Sequence, residues 1–376
     1  MRIAQVAPLH LAVPPHNYGG TERCIFNITE ALVELGHDVT LFATDDSNSK
    51  AKLVPMRETG IRFDPRVDAV AQHLAMLQQV FQRASEFDVI HSHLDYLTLP
   101  FAATSATPTV ITLHGRLDIP ESIEVFRAFK DCNYVAISNS QRSQIPDLNW
   151  ISTIHHGIDL RGIPFHEKPG PYLVFVGRLS REKGPDRAIR IAKQVGIPLK
   201  IAAKVDPSER KYFETVIKPM LDDPLIEFLG PINEKRKLEL MGNAMALLLP
   251  ICWPEPFGMV FIESLGCGTP VLTCPYGSVP ELLKDGVTGF IRTTDDELAE
   301  AVGHVAAISR TGCRDYVRQK FDIREMALEY VHTYSIVQRR KRLFTVPAEM
   351  NIDSSGRLPS NGTGTEHTLD QSTLIS

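Results

Sequence analysis

The stretch "YLVFVGRLSREKGPDRAIRIAKQVGIPLKIAAK", Tyr172 to Lys204, decides the fold. It reads as a strand (YLVFVG), a helix (EKGPDRAIRIAKQVG) and a second strand (PLKIAAK). A strand, a crossing helix and a strand again is the unit from which parallel sheets are built.

The same alternation continues outward. Downstream come a helix (SERKYFETVIKPML), a strand (LIEFLG), a helix (NEKRKLELMGN) and a strand (AMALLLP), then TPVLTC, SVPELLKDG and TGFI. Upstream, RIAQVAP, HDVTLFAT, DVIHSH, TPTVITLHG and NYVAISNS read as strands. TERCIFNITEALVELG reads as a helix with Thr21 as N-cap and Gly36 as C-cap, and RVDAVAQHLAMLQQVFQRASEF as a long helix. Between the two series lies "LRGIPFHEKPGP", residues 160–171, rich in Pro, Gly and charge. The fold class is therefore α/β, with two domains of similar size: residues 1–165 and 170–322, followed by a helix over 323–344. Residues 345–376 lose apolar periodicity, are rich in Ser, Thr, Gly and Asn, and are expected to be disordered. The basic run RRKR near the end of the last helix suits the helix dipole, with a peripheral membrane contact the weaker reading.

Bulk properties exclude several classes. A formal charge of -5 over 376 residues points to neither nucleic acid nor membrane. The six cysteines are scattered without a CxxC pair, which argues against a zinc site or a disulfide framework and fits a reducing cytoplasm. No signal peptide or membrane span is apparent, so a cytoplasmic location is expected. Oligomeric state is left open.

Four segments carry chemistry. "APLHLAVPPHNYGGTER" places Gly19 and Gly20 between a strand and a helix, where backbone N–H groups approach a ligand closely. It is not the GxGxxG dinucleotide fingerprint. His91, His93 and His114 stand at strand ends. Their spacing gives little support to a metal, and a cleft-facing histidine suits a ligand hydroxyl. After YLVFVG come Arg178 and Lys183, a planar fork and a point charge placed to meet one anionic group. Finally, "WPEPFGMVFIESLGCGTPV", Trp253 to Val271, carries Glu255 and Glu263 around an apolar run. A helix from about Phe257 to Cys267, with Pro256 in its first turn, aims the N–H groups of Phe257, Gly258 and Met259 at an anion. Glu263, roughly 8 Å along the helix, reaches past a phosphate to a vicinal diol. Together these describe a site for a nucleotide diphosphate with a sugar attached.

The residues also resemble a known family. The Glu-x7-Glu pair in EPFGMVFIE, GRLSREKG upstream, GTPV and GSVPELLKDGVTGFI downstream, GGTER at 19–23 and HHGID at 155–159 are similar to the retaining glycosyltransferases of family four, over about residues 1–340. The resemblance implies the GT-B fold, two Rossmann-like domains facing across a cleft. It implies transfer of a hexose, foremost glucose, from a nucleotide diphosphate sugar, foremost UDP-linked, with retained configuration. It gives Arg178 and Lys183 the diphosphate, Glu255 the donor-sugar hydroxyls, Glu263 the ribose, and His114 the region of the sugar's 6-hydroxyl. The backbone at Phe257, Gly258, Met259 and Val260 is to contact sugar and phosphate, and the last helix is to cross back to the first domain. No cofactor or metal is expected, because the cations and the helix N-terminus stabilise the leaving diphosphate and a phosphate oxygen takes the acceptor's proton on the same face. The stretch AAKVDPSERKYF departs from the family pattern and places Asp206 near the base and diphosphate. The same variant resembles members that include pterin glucosyltransferases, which makes a pterin or another small molecule a candidate acceptor; the acceptor's identity is left open. A GT-B epimerase or phosphorylase and a non-catalytic nucleotide-sugar-binding module are the alternatives.

Overall fold

The computed structural model describes residues 1–62, 64 and 66–345, with side chains described up to Arg340. The expected disordered tail, apart from the backbone of Thr345, lies outside the described residues. Met1–Gln338 is one compact unit.

Two parallel sheets make up this unit. One contains β1 (Arg2–Val6), β2 (Asp38–Thr44), β3 (Lys52–Arg57), β4 (Val89–Ser92), β5 (Thr109–Thr112), β6 (Asn133–Ala136) and β7 (Trp150–Thr153), in the order β3-β2-β1-β4-β5-β6-β7. The other contains β8 (Leu173–Arg178), β9 (Leu199–Lys204), β10 (Ile226–Gly230), β11 (Ala246–Leu249), β12 (Val271–Thr273) and β13 (Gly289–Ile291), in the order β10-β9-β8-β11-β12-β13. The opening Tyr172–Lys204 stretch is β8, the Pro185–Val195 helix and β9, with Leu173 opposite Leu199 and Arg178 opposite Lys204. Strands such as β4 and β11 are buried along their whole length, as expected when helices cover both faces of a parallel sheet.

The Ile323–Thr345 helix places Met326, Ala327, Tyr330, Tyr334 and Val337 in the same apolar cluster as Ile3, Ile25, Ile28 and Val89. A chain segment that follows the second sheet thus completes the core of the first.

Three local expectations are corrected. The first long helix starts at Gly20, with Gly19 rather than Thr21 as N-cap, because the Gly19 carbonyl already accepts from Arg23 N at 3.2 Å. The helix after β11 runs over Met259–Gly266, not from Phe257. The Phe257 carbonyl is taken by the Ser278 hydroxyl at 2.8 Å, and the first turn closes instead from Phe261 N to Gly258 O at 3.0 Å. The stretch SERKYFETVIKPML is not one helix but a succession of short 3-10, α and π turns around Arg210–Tyr212, Phe213–Ile217 and Lys218–Met220. Pro219 lacks the N–H that a regular α ladder needs there. Sequence periodicity also passed over β3, a half-exposed edge strand containing Pro55, and the Pro120–Ala128 helix.

Candidate active site

In each sheet the strand order reverses once beside its first strand, between β1 and β4 and between β8 and β11. Loops leaving the carboxyl ends of such strands diverge and leave a crevice. The loop after β1 carries Gly19, that after β4 carries Asp95, Arg178 ends β8 with Lys183 in the loop that follows, and the loop after β11 carries Glu255 and Gly258. All six line one cleft of about 760 Å³, together with Gly20, His114, Phe257, Met259, Val260 and Glu263. His93 lines the same cleft, whereas His91 and Asp206 are not among its lining residues.

The glycines differ in purpose. A Cβ on Gly19 would lie 2.9 Å from Glu22 Oε2, Leu11 and Pro15, so the tight passage requires glycine, whereas Gly20 faces open space. Gly258 has φ 83°, and a Cβ there would meet the Phe261 ring at 2.7 Å. That left-handed turn lets the backbone enter the Met259–Gly266 helix directly from the cleft.

Both glutamates are buried rather than set apart from the apolar face, and each is paired with a cation. Glu255 forms an ion pair with Lys183 and accepts from Trp253 Nε1 at 3.1 Å. Glu263 accepts from Lys237 Nζ at 2.8 Å, and Lys237 also lies 3.0 Å from Glu234. Burial raises the Glu263 carboxyl above its ordinary value, with Lys237 opposing the shift. Arg178 is held by Glu182 at 2.7 Å. Asp206 is engaged by Lys204 at 3.1 Å and Arg62 at 3.8 Å, and the cleft wall beside it is formed by those two cations.

A buried chain of hydrogen bonds ends at His114. His114 Nε2 lies 2.8 Å from His93 Nδ1, and His93 Nε2 lies 2.8 Å from Gln5 Oε1. Gln5 Nε2 is 3.2 Å from His91 Nδ1, which also meets the Tyr334 hydroxyl at 2.7 Å. The Gln5 carbonyl only accepts, so His93 carries its proton on Nε2 and accepts at Nδ1. His114 therefore donates from Nε2, which leaves its buried, unpartnered Nδ1 as a bare lone pair. Burial keeps these rings neutral, with His114 pushed down to about 3 and His91 and His93 well below the usual imidazole range.

Sequence reasoning missed several residues of the cleft. Lys237 is one of three basic residues in NEKRKLEL, and only its partner distinguishes it. Asp95 has φ 44°, an unpartnered buried Oδ1, and a carboxyl that burial raises to about 6. Cys24 and His156 also line the cleft beside His114. His91 and His93 spend their ring nitrogens on hydrogen bonds to Gln5, Thr112, Tyr334 and His114, which leaves neither free to join His114 as a metal ligand. The metal-competent grouping among the described residues is instead Cys24, His114 and His156.

The family model "Glycosyltransferase Family 4" matches residues 18–161, and "Glycosyl transferases group 1" matches residues 159–312. The chain is 27% identical to the glycogen synthase of Mycobacterium tuberculosis, over 88% of this chain and 94% of that protein. It is 24% identical to the phosphatidyl-myo-inositol mannosyltransferase of Mycolicibacterium smegmatis, over 89% and 90%. Among solved structures, Anabaena HepE in complex with UDP and glucose superposes with a TM-score of 0.71 at 19% identity, covering 89% of this chain and all of that one. With two matching models in tandem, full-length relatives and two facing parallel sheets, the chain belongs to the group 1, family 4 glycosyltransferases and has the GT-B fold.

Proposed function

We propose that this glycosyltransferase moves glucose, or a closely related hexose, from a UDP-linked donor to a small-molecule acceptor with retention of configuration and without a metal. The observation that carries this reading is the meeting of Lys183, Glu255 and the start of the Met259–Gly266 helix in one cleft. A diphosphate entering there finds Lys183, Arg178 and the free N–H groups of the helix's first turn, all favouring negative charge. The leaving oxygen gains charge as the glycosidic bond breaks, and these groups are already oriented to stabilise it. Lys183 then exchanges part of its bond to Glu255 for the phosphate, which frees Glu255 to accept from sugar hydroxyls. Glu263, fixed by Lys237, accepts from the ribose diol. His114 Nδ1, a bare lone pair, accepts from a sugar hydroxyl. The acceptor attacks from the leaving-group face and gives its proton to a phosphate oxygen. Use of UDP and glucose is supported by the HepE complex with UDP and glucose. On the first sheet's side, Tyr18 and Tyr96 offer aromatic faces to a flat acceptor such as a pterin.

The test is a panel of UDP, GDP and ADP sugars assayed by nucleotide release, with an extract of small molecules as acceptors and mass spectrometry of the products. Release from UDP-glucose above the other donors is the expected result. Calorimetry showing no binding of any nucleotide diphosphate would overturn the reading.

A further inference from the structure

We propose that Cys24, His114 and His156 form a binding site for a thiophilic divalent cation of the zinc type in the wall of the cleft. One ligand atom from each lies within 4.8 Å of the other two. Cys24 is a free thiol with 2% exposure, and His156 is 3% exposed. The Nδ1 atoms of His114 and His156 are both buried without a hydrogen-bond partner. The two rings stand 5.3 Å apart between centroids and 11° from parallel.

Buried polar atoms are nearly always satisfied, so two orphaned imidazole nitrogens beside one thiol call for a ligand. The hydrogen-bond chain through His93 sharpens the case. It commits the Nε2 proton of His114 and leaves Nδ1 unprotonated, which is the state a metal requires. The donor set selects the ion. Two neutral imidazoles and a thiol match zinc, and the absence of a carboxylate among the three disfavours magnesium, calcium and manganese. Ligand atoms around tetrahedral zinc stand roughly 3.3–3.8 Å apart, given bonds of about 2.0–2.3 Å. The trio therefore closes by about 1 Å on binding. On coordination the thiol S–H bond is replaced by S–Zn, and the proton leaves to solvent. All three residues line the cleft. Because the proposed donor sugar uses the same Nδ1 of His114, a bound ion excludes the donor, and this last step rests on the function proposed above.

The experiment uses tag-free full-length protein, titrated with Zn²⁺ by calorimetry and with Co²⁺ by absorption. One Zn²⁺ per chain is expected, with a thiolate-to-cobalt charge-transfer band. Cys24→Ser removes the band, and both Cys24→Ser and His156→Asn weaken Zn²⁺ binding by more than about tenfold. Cys252→Ser, which removes an exposed thiol, leaves binding unchanged, and Mg²⁺ gives no heat. His156→Asn decides the matter if Cys24→Ser does not fold. Absence of Zn²⁺ binding, or unchanged affinity in both variants, overturns the site. Saturating UDP-glucose is expected to weaken Zn²⁺ binding. Zn²⁺ binding that depends on the trio but is indifferent to bound UDP-glucose overturns only the exclusion step, and failure of UDP-glucose to bind at all falls on the proposed function instead.

Discussion

Lys237 and Glu263 form a buried ion pair, Nζ to Oε2 at 2.8 Å, across two neighbouring helices of the second sheet's domain. The pair sets the position of the Glu263 carboxylate, the group proposed above to accept from the ribose. Removing Lys237 leaves the buried Glu263 carboxylate without its cation, whereas removing Glu263 leaves Lys237 with Glu234 at 3.0 Å. Lys237→Ala is expected to cost about 3–5 kcal/mol of stability, read as a lower urea midpoint. Lys237→Ala combined with Glu263→Gln is expected to recover much of that loss without recovering UDP affinity.

On the proposed function, Lys183 and Glu255 are expected to separate binding from transfer. Lys183→Ala removes a cation from the diphosphate and is expected to weaken UDP binding at least about tenfold by calorimetry. Glu255→Ala leaves the lysine free for phosphate, so UDP binding is expected to hold, while turnover falls by about 100-fold or more. Equal loss of UDP affinity in both variants would place the diphosphate elsewhere.

Asp95 is held with its carboxyl raised to about 6 by burial. The folded state resists ionising it. Stability is therefore lost as pH rises from its ordinary value of 3.8 through about 6, and the whole penalty is present at pH 7. Asp95→Asn removes that penalty and keeps a residue tolerant of positive φ. The melting temperature is expected to rise by about 2–4 °C at pH 7, with the gain vanishing near pH 4.

Histidines 91, 93, 114 and 156 shift in the opposite sense, since burial lowers all four. The unfolded chain takes up these protons near pH 6.5 and the folded chain does not. Stability is thus expected to fall as pH drops below 6.5, by up to about 1.4 kcal/mol per pH unit for each histidine. Denaturant titrations between pH 7.5 and 5 measure the slope. His93→Phe is expected to reduce it and to raise the donor KM more than it lowers kcat, because His114 loses its positioning bond.

Much of this was legible because the informative residues sit where a strand ends and a loop begins. The Arg178 and Lys183 loop and the Glu255 loop could be placed at β8 and β11 from apolar runs alone, and parallel packing then brings them side by side. What escaped was long-range pairing. Tyr334 meets His91 across 243 positions, and Glu263 meets Lys237 across 26; no local periodicity encodes either. Gly19 rather than Thr21 caps its helix because the first helical bond runs from Arg23 N to the Gly19 carbonyl, a detail of backbone geometry that residue type alone does not reveal. Asp95 reads as an ordinary loop aspartate until its backbone angle and burial are known.

The Ile323–Thr345 helix also fixes an order of events during synthesis. Ile3, Ile25, Ile28 and Val89 leave the ribosome early, yet Met326, Tyr330 and Val337, which complete their cluster, emerge some 300 residues afterwards. At roughly 5–20 residues per second, the nascent first sheet waits on the order of 15–60 seconds with an uncovered apolar face. A chain released before Val337 is expected to carry that sticky face permanently and to recruit chaperones or aggregate, so this helix acts as a late checkpoint on the folding of the first sheet.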